Sequence, residues 1–197
     1  MDAAKRLIAL TLFGLMALSS AAAQSAAATA ENAGLPAQYA TTAIGQGGAM
    51  TGKTFGVTIY VTGVTSDEEA RQYIAVLKKK GPDGLVSALG NAKDLGRIAP
   101  TGSVGTGVRF VRIRPRPDGG QHIVMVTDRA ITMAELYQGT RSRDYPFGVV
   151  VMNVDKSGKG TGTLAPVCKI RFNKKGELEI EHYGQKPFRL ANLRREK

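Results

Sequence analysis

Residues 108–114 read Val108-Arg109-Phe110-Val111-Arg112-Ile113-Arg114. A strand sends successive side chains to opposite faces, so apolar residues at every second position mark the face that meets the core. Here the apolar set changes parity, from Val108 and Phe110 to Val111 and Ile113. The change implies a bulge near Arg109, or a strand buried differently at its two ends, and such breaks help a sheet curl. The expectation is a strongly twisted or barrel-like sheet.

Downstream of Gly96 the chain reads as β-runs at about 98–114, 121–127, 147–154, 161–172, 177–183 and 187–193. Pro117-Asp118-Gly119-Gly120, Asp155-Lys156-Ser157-Gly158 and Asn173-Lys174-Lys175-Gly176 place glycine where a hairpin loop wants positive φ. Neighbouring runs should therefore pair antiparallel. Residues 147–154 are apolar on both faces, as are Ile123 to Val126, so both strands should be covered on both sides. In 177–183, Leu178, Ile180 and His182 alternate with Glu177, Glu179 and Glu181, and one side should meet water.

Upstream, Phe55, Val57, Ile59 and Val61 alternate with Gly56, Thr58, Tyr60 and Thr62 in a half-buried strand. A helix follows, because Ser66 with Glu69 is a capping box and Ala70, Tyr73, Ile74 and Leu77 share one face. Lys78-Lys79-Lys80 and Gly81 close it, and Pro82 to Ala92 reads as a second, shorter helix. Thr132-Met133-Ala134-Glu135 starts a third helix of about two turns, ended by Gly139. The fold class is α+β: a curled antiparallel β-meander of about 6–8 strands, barrel-like, with two helices after the first strand and one short helix inserted between strands.

The chain has 197 residues, a net charge of +11 and 43% apolar content, which fits one domain and excludes a disordered or multi-span chain. Residues 1–23 read as a signal peptide. Lys5 and Arg6 precede the apolar run Leu7 to Leu18, and Ala21-Ala22-Ala23 suits cleavage after Ala23. The run is short for a membrane span, so no transmembrane segment is expected after cleavage. The mature chain is expected in the periplasm or outside the cell, with its basic character intact. Residues 24–53, rich in Ala, Gly, Ser and Thr, read as a disordered linker, and 54–197 as a single α+β domain.

Gly47-Gly48-Ala49-Met50-Thr51-Gly52-Lys53-Thr54 matches the Walker A pattern letter for letter. A phosphate cradle needs a buried strand before the loop and a helix after it. Here a strand follows, so Gly47, Gly52, Lys53 and Thr54 are read as a chance match and no nucleotide or other cofactor is expected. Another constellation follows from hairpin spacing. With Gly176 left-handed in a three-residue loop, Phe172 faces Leu178, Arg171 faces Glu179, Lys169 faces Glu181 and Cys168 faces His182. A Cys-His pair is one way to build a nucleophile and its base, but a small buried thiol beside a core histidine is the plainer reading. One cysteine and two histidines leave no zinc site of the usual kind, and no metal is expected.

Charge supplies the third candidate. Residues 95–117 carry Arg97, Arg109, Arg112, Arg114 and Arg116 with no acid, and Arg112, Arg114 and Arg116 share one face. Arg141 and Arg143 lie in another loop. The guanidinium fork suits phosphate, sulfate and carboxylate, so an anionic polymer of the cell envelope is a natural target. With 6% aromatic residues and no recognition motif, nucleic acid is the weaker fit. Around Asp144, the run Arg141-Ser142-Arg143-Asp144-Tyr145-Pro146-Phe147 either builds a pocket or locks a loop onto the sheet, and Asp128 is a candidate for capping backbone donors.

Taken in order, Val64-Thr65-Ser66-Asp67-Glu68-Glu69, Gly96-Arg97-Ile98-Ala99-Pro100-Thr101-Gly102, Thr127-Asp128-Arg129-Ala130-Ile131 and Arg141-Ser142-Arg143-Asp144-Tyr145-Pro146-Phe147-Gly148 resemble stretches of hypothetical exported proteins of environmental bacteria. The resemblance covers about residues 54–195 and implies one recurring domain behind a signal peptide, with no activity to carry over. The expected function is that of an exported, non-catalytic binding domain. It would recognise an anionic envelope component or a protein partner through a basic arginine face (Arg112, Arg114, Arg116, Arg141, Arg143). The alternatives are a small apolar-ligand carrier inside a curled sheet and, third, a hydrolase using Cys168 and His182.

Overall fold

The structure is a computed structural model that describes residues 34–131, 144–173, 176–182 and 186–196. The signal peptide, the helix expected from Thr132, and Arg141 and Arg143 lie outside the described residues. Among the described residues ten strands, one α-helical element and a 3-10 turn (Gly48–Met50, between β1 and β2) follow one another: β1 (Ala37–Ile44), β2 (Thr54–Val61), α1 (Asp67–Gly90), β3 (Gly96–Pro100), β4 (Thr106–Val108), β5 (Phe110–Pro115), β6 (Gln121–Val126), β7 (Phe147–Val154), β8 (Lys159–Phe172), β9 (Leu178–His182) and β10 (Phe188–Arg195).

All pairings are antiparallel, in the order β4-β3-β2-β1-β10-β8-β7-β6-β5, with β9 paired to β8 off this path. The two ends of that order, β4 and β5, are consecutive in the chain and separated by Arg109 alone. Leu95 N–H donates to the Val108 carbonyl at 2.8 Å, whereas Arg109 N–H donates to the Val126 carbonyl at 3.0 Å. At Arg109 the chain therefore leaves β3 and joins β6, and the sheet curls into a nearly closed barrel. The parity change in 108–114 is this junction: Thr106 and Val108 point inward before it, Val111 and Ile113 after it. The single run expected over 98–114 is three strands, and the total is ten where six to eight were expected.

With β4 and β5 taken as one broken strand, eight strands surround the axis. That number leaves an interior about wide enough for side chains to fill. It is filled: Tyr39, Ile59, Ile98, Ile123, Met125, Met152, Leu164, Leu190 and Leu193 are all fully buried.

Residues 37–44 correct the expected linker. They form β1, paired with β2 along its length and with β10 on its other side. Its inward positions are Ala37, Tyr39, Thr41 and Ala43, so the period of two is carried mostly by small or polar residues. Tyr39 supplies the bulk, and the Thr41 hydroxyl donates to the Ala191 carbonyl at 2.9 Å.

Outside the barrel, α1 covers the outer faces of β5 to β8. The capping box forms: Glu69 N–H donates to Ser66 Oγ at 3.2 Å and Ser66 N–H to Glu69 Oε2 at 2.8 Å. The two helices expected here are the arms of one helical element, broken where Gly81 adopts φ 67° and ψ −166° ahead of Pro82. Only glycine reaches that conformation without strain. Leu77 from the first arm and Leu85 and Leu89 from the second form a second core with Val126, Phe147, Val149, Cys168 and Ile170. Strand β7 is thus covered on both faces, as its composition requires.

Strand β9 departs from expectation in burial. Its register on β8 is the one the loop spacing implied, from Phe172–Leu178 to Cys168–His182. Its apolar face, however, is the open one, with Leu178 57% and Ile180 36% exposed. Helix α1 covers this face only in part, with Leu178 bordering a groove lined by Tyr73, Ile74 and Leu77.

Candidate functional site

The arginines of β5 and its flanks are mostly engaged. Arg112, whose side chain is 12% exposed, donates from Nη2 to Asp67 Oδ1 at 2.5 Å and from Nη1 to the Thr65 carbonyl at 2.7 Å. It thereby ties the start of α1 to β5, a contact reinforced by Val111 N–H to Thr65 Oγ1 at 3.0 Å. Arg109 lies between Asp94 at 3.1 Å and Asp128 at 3.4 Å and donates to the Ala92 carbonyl at 3.0 Å. Asp128, a candidate for capping backbone donors, faces this guanidinium. Arg116 pairs with Asp118 at 2.9 Å. Arg114 is exposed, opposite His122, whose Nδ1 is 2.8 Å from Asn153 Oδ1. The row serves largely as a set of clamps.

The glycine-rich stretch forms the connection between β1 and β2, with Thr54 already in β2 opposite Ile44. Gly45, Thr51, Gly52 and Lys53 donate their N–H groups to carbonyls of the same loop. Those donors are spent within the loop, whose one helical turn, the three-residue 3-10 turn Gly48–Met50, gives way to β2 and not to an α-helix. Cys168 and His182 are register partners, but the thiol is buried against α1 and donates to the Phe147 carbonyl at 3.4 Å. Burial pushes the thiol up to about 12 and lowers His182 below the ordinary histidine value. At neutral pH Cys168 is a protonated thiol in a core. Tyr145 donates to Glu181 Oε1 at 2.6 Å, which fastens the chain around Asp144 to the β8–β9 hairpin. Among the described residues no three His, Cys, Asp or Glu side chains come together as a metal site.

An open depression of about 510 Å³ lies over the outer face of β2 and β3. The alternation that sends Val57, Ile59 and Val61 inward sends Thr58 and Tyr60 out, and pairing with β3 sets Tyr60 opposite Arg97. Gly96 and Ala99 form a low floor, and Thr62, Asp94, Ser103 and Val104 line the sides. Gly96 is required here, because a Cβ would fall 2.2 Å from the Tyr60 carbonyl oxygen. Asp94, the acid beside the depression, is held by Arg109. Arg97 is exposed and has no ion pair among the described residues. Its fork is available to a ligand, beside an aromatic ring that is itself partly exposed.

A second crevice, of about 470 Å³, separates α1 from the β4–β5 junction. Of its charged groups, Glu69 is held by Ser66 and Arg109 by its two carboxylates, while Lys93 stands exposed at the edge. The outward direction of Tyr60 and the presence of Arg97 in a basic stretch are both legible in the sequence. Their juxtaposition is not, because it depends on two strands pairing across the whole of α1. Compared with protein-family models, curated proteins and solved structures, the chain matches none of them.

Proposed function

We propose that the protein is an exported, non-catalytic binding domain that holds an acidic glycan of the cell envelope at the depression over β2 and β3. The carrying observation is one exposed guanidinium, Arg97, facing one exposed aromatic ring, Tyr60, over a floor of Gly96 and Ala99. A sugar ring lies flat on the phenol face, and its carboxylate or sulfate takes the Arg97 fork in two parallel hydrogen bonds. Thr62 and Ser103 offer hydroxyls to the ring substituents. The net charge of +11 supports accumulation on a polyanion before the local fit is made. Export rests on residues 1–23, and no helix among the described residues is long and apolar enough to cross a membrane.

Retention of the mature chain, residues 24–197, on isolated envelope fractions across a salt gradient tests the reading. A hydrogen bond to a charged group contributes about 1.5–3 kcal/mol, so Arg97→Ala weakens retention roughly 10- to 100-fold. Tyr60→Ala weakens it as well, and Tyr60→Phe keeps it. Equal retention of wild type and Arg97→Ala removes the proposal.

A further inference from the structure

Strand β9 is bonded to β8 along one side and has no strand on its other side among the described residues. Its sequence, Leu178-Glu179-Ile180-Glu181-His182, has no proline, lysine or bulge to block pairing, and the charge it carries is acidic, at Glu179 and Glu181. Its two faces differ in chemistry. Leu178 and Ile180 are exposed on one side, and Leu178 borders an apolar groove of about 90 Å³ formed with Tyr73, Ile74, Leu77 and Ile170, where Ile74 is itself 46% exposed. Glu179 and Glu181 are partly exposed on the other side, sharing Arg171 between them.

We infer that the free edge of β9 accepts an extended segment of another protein in which apolar residues alternate with Lys or Arg. Main-chain bonds of the added strand fall on those N–H and C=O groups of residues 178–182 that point away from β8 and have no partner among the described residues. The period of two then places every second side chain beside Leu178 and Ile180, extending the apolar groove, and the intervening ones beside Glu179 and Glu181. The charge pattern selects against a second copy. Two β9 edges paired antiparallel around Ile180 set the glutamates of one copy against those of the other, and like charges directly opposite are destabilising.

The test uses the mature chain and a labelled eight-residue peptide of alternating lysine and valine, with alternating glutamate and valine as the control. Expected are at least tenfold tighter binding of the lysine peptide and slowed amide hydrogen exchange at residues 178–182. Glu179→Lys with Glu181→Lys inverts the peptide preference. Leu178→Ser, at a largely exposed position where the fold has little at stake, weakens both peptides by several-fold. Equal binding of the two peptides, binding without protection in β9, or no binding overturns the inference. So does a homodimer in sedimentation that dissociates in Leu178→Ser, because the second copy is then the occupant.

Discussion

Replacing Arg112 by alanine separates an arginine that holds the fold from one that meets a ligand. Its bond to the Thr65 carbonyl contributes about 1 kcal/mol, and the carbonyl belongs to a buried residue that loses this donor. The ion pair adds at most about 1 kcal/mol, since the Asp67 side chain is 60% exposed and screened by water. Packing of the aliphatic stem brings the total to roughly 2 kcal/mol, or about 4–8 °C in Tm for a domain of this size. Thermal unfolding followed by circular dichroism reads that loss, and Arg112→Lys gives a smaller one, because an ammonium cannot span both acceptors with a planar fork. Envelope retention of the folded Arg112→Ala protein stays within about twofold of wild type, as surface charge lost at one remote site requires. The converse holds at Arg97, where Tm is unchanged and retention falls. An Arg112→Ala protein with wild-type Tm and abolished retention would refute the reasoning and return the binding face to β5.

Further outcomes follow from the same geometry. Cys168 stays protonated in the fold to about pH 12 but ionises near 9 when unfolded, so stability falls as pH rises from 9 toward 12, by about 1.4 kcal/mol per pH unit at most; urea titrations at pH 8 and pH 10 read the difference, and Cys168→Ala flattens it. Native protein at pH 8 resists iodoacetamide at Cys168 until it is unfolded, and rapid alkylation under native conditions would contradict the burial. Gly81→Ala forces a side chain into a conformation that favours glycine and costs roughly 1–3 kcal/mol by denaturant unfolding, although space around the added Cβ is open. The Tyr145 hydroxyl holds the Glu181 carboxyl below its usual value of 4.5, so its share of stability is complete above that pH and is lost as pH falls through the lowered value; Tyr145→Phe moves the carboxyl titration seen by NMR back upward.

Local rules made much of the sheet legible. The loop Asn173 to Gly176 specified the β8–β9 register down to Cys168 opposite His182, and the parity change at Arg109 marked the place where the barrel closes. Strand β1 escaped because Ala37, Thr41 and Ala43 fill its inward positions, and small residues read as linker until a neighbouring strand supplies the bulk. The exposure of Leu178 and Ile180 escaped because alternation tells which residues share a face and leaves open whether a helix reaches far enough to cover it. The arginines show the same division. Their parity placed Arg112, Arg114 and Arg116 on one side, whereas the pairing of Arg112 with Asp67 and of Arg109 with Asp94 and Asp128 depends on elements brought together by the fold. Arg97 stands out only after those pairings are known.

Titration of the isotope-labelled mature chain with an oligogalacturonate, followed by backbone amide NMR, decides whether the depression over β2 and β3 is the binding site. Binding there gives saturable shifts confined to Tyr60, Thr62, Gly96, Arg97, Ala99 and Ser103, abolished in Arg97→Ala and weakened as salt is raised. Shifts centred on Arg114 and His122, or spread evenly over the basic surface, would contradict it.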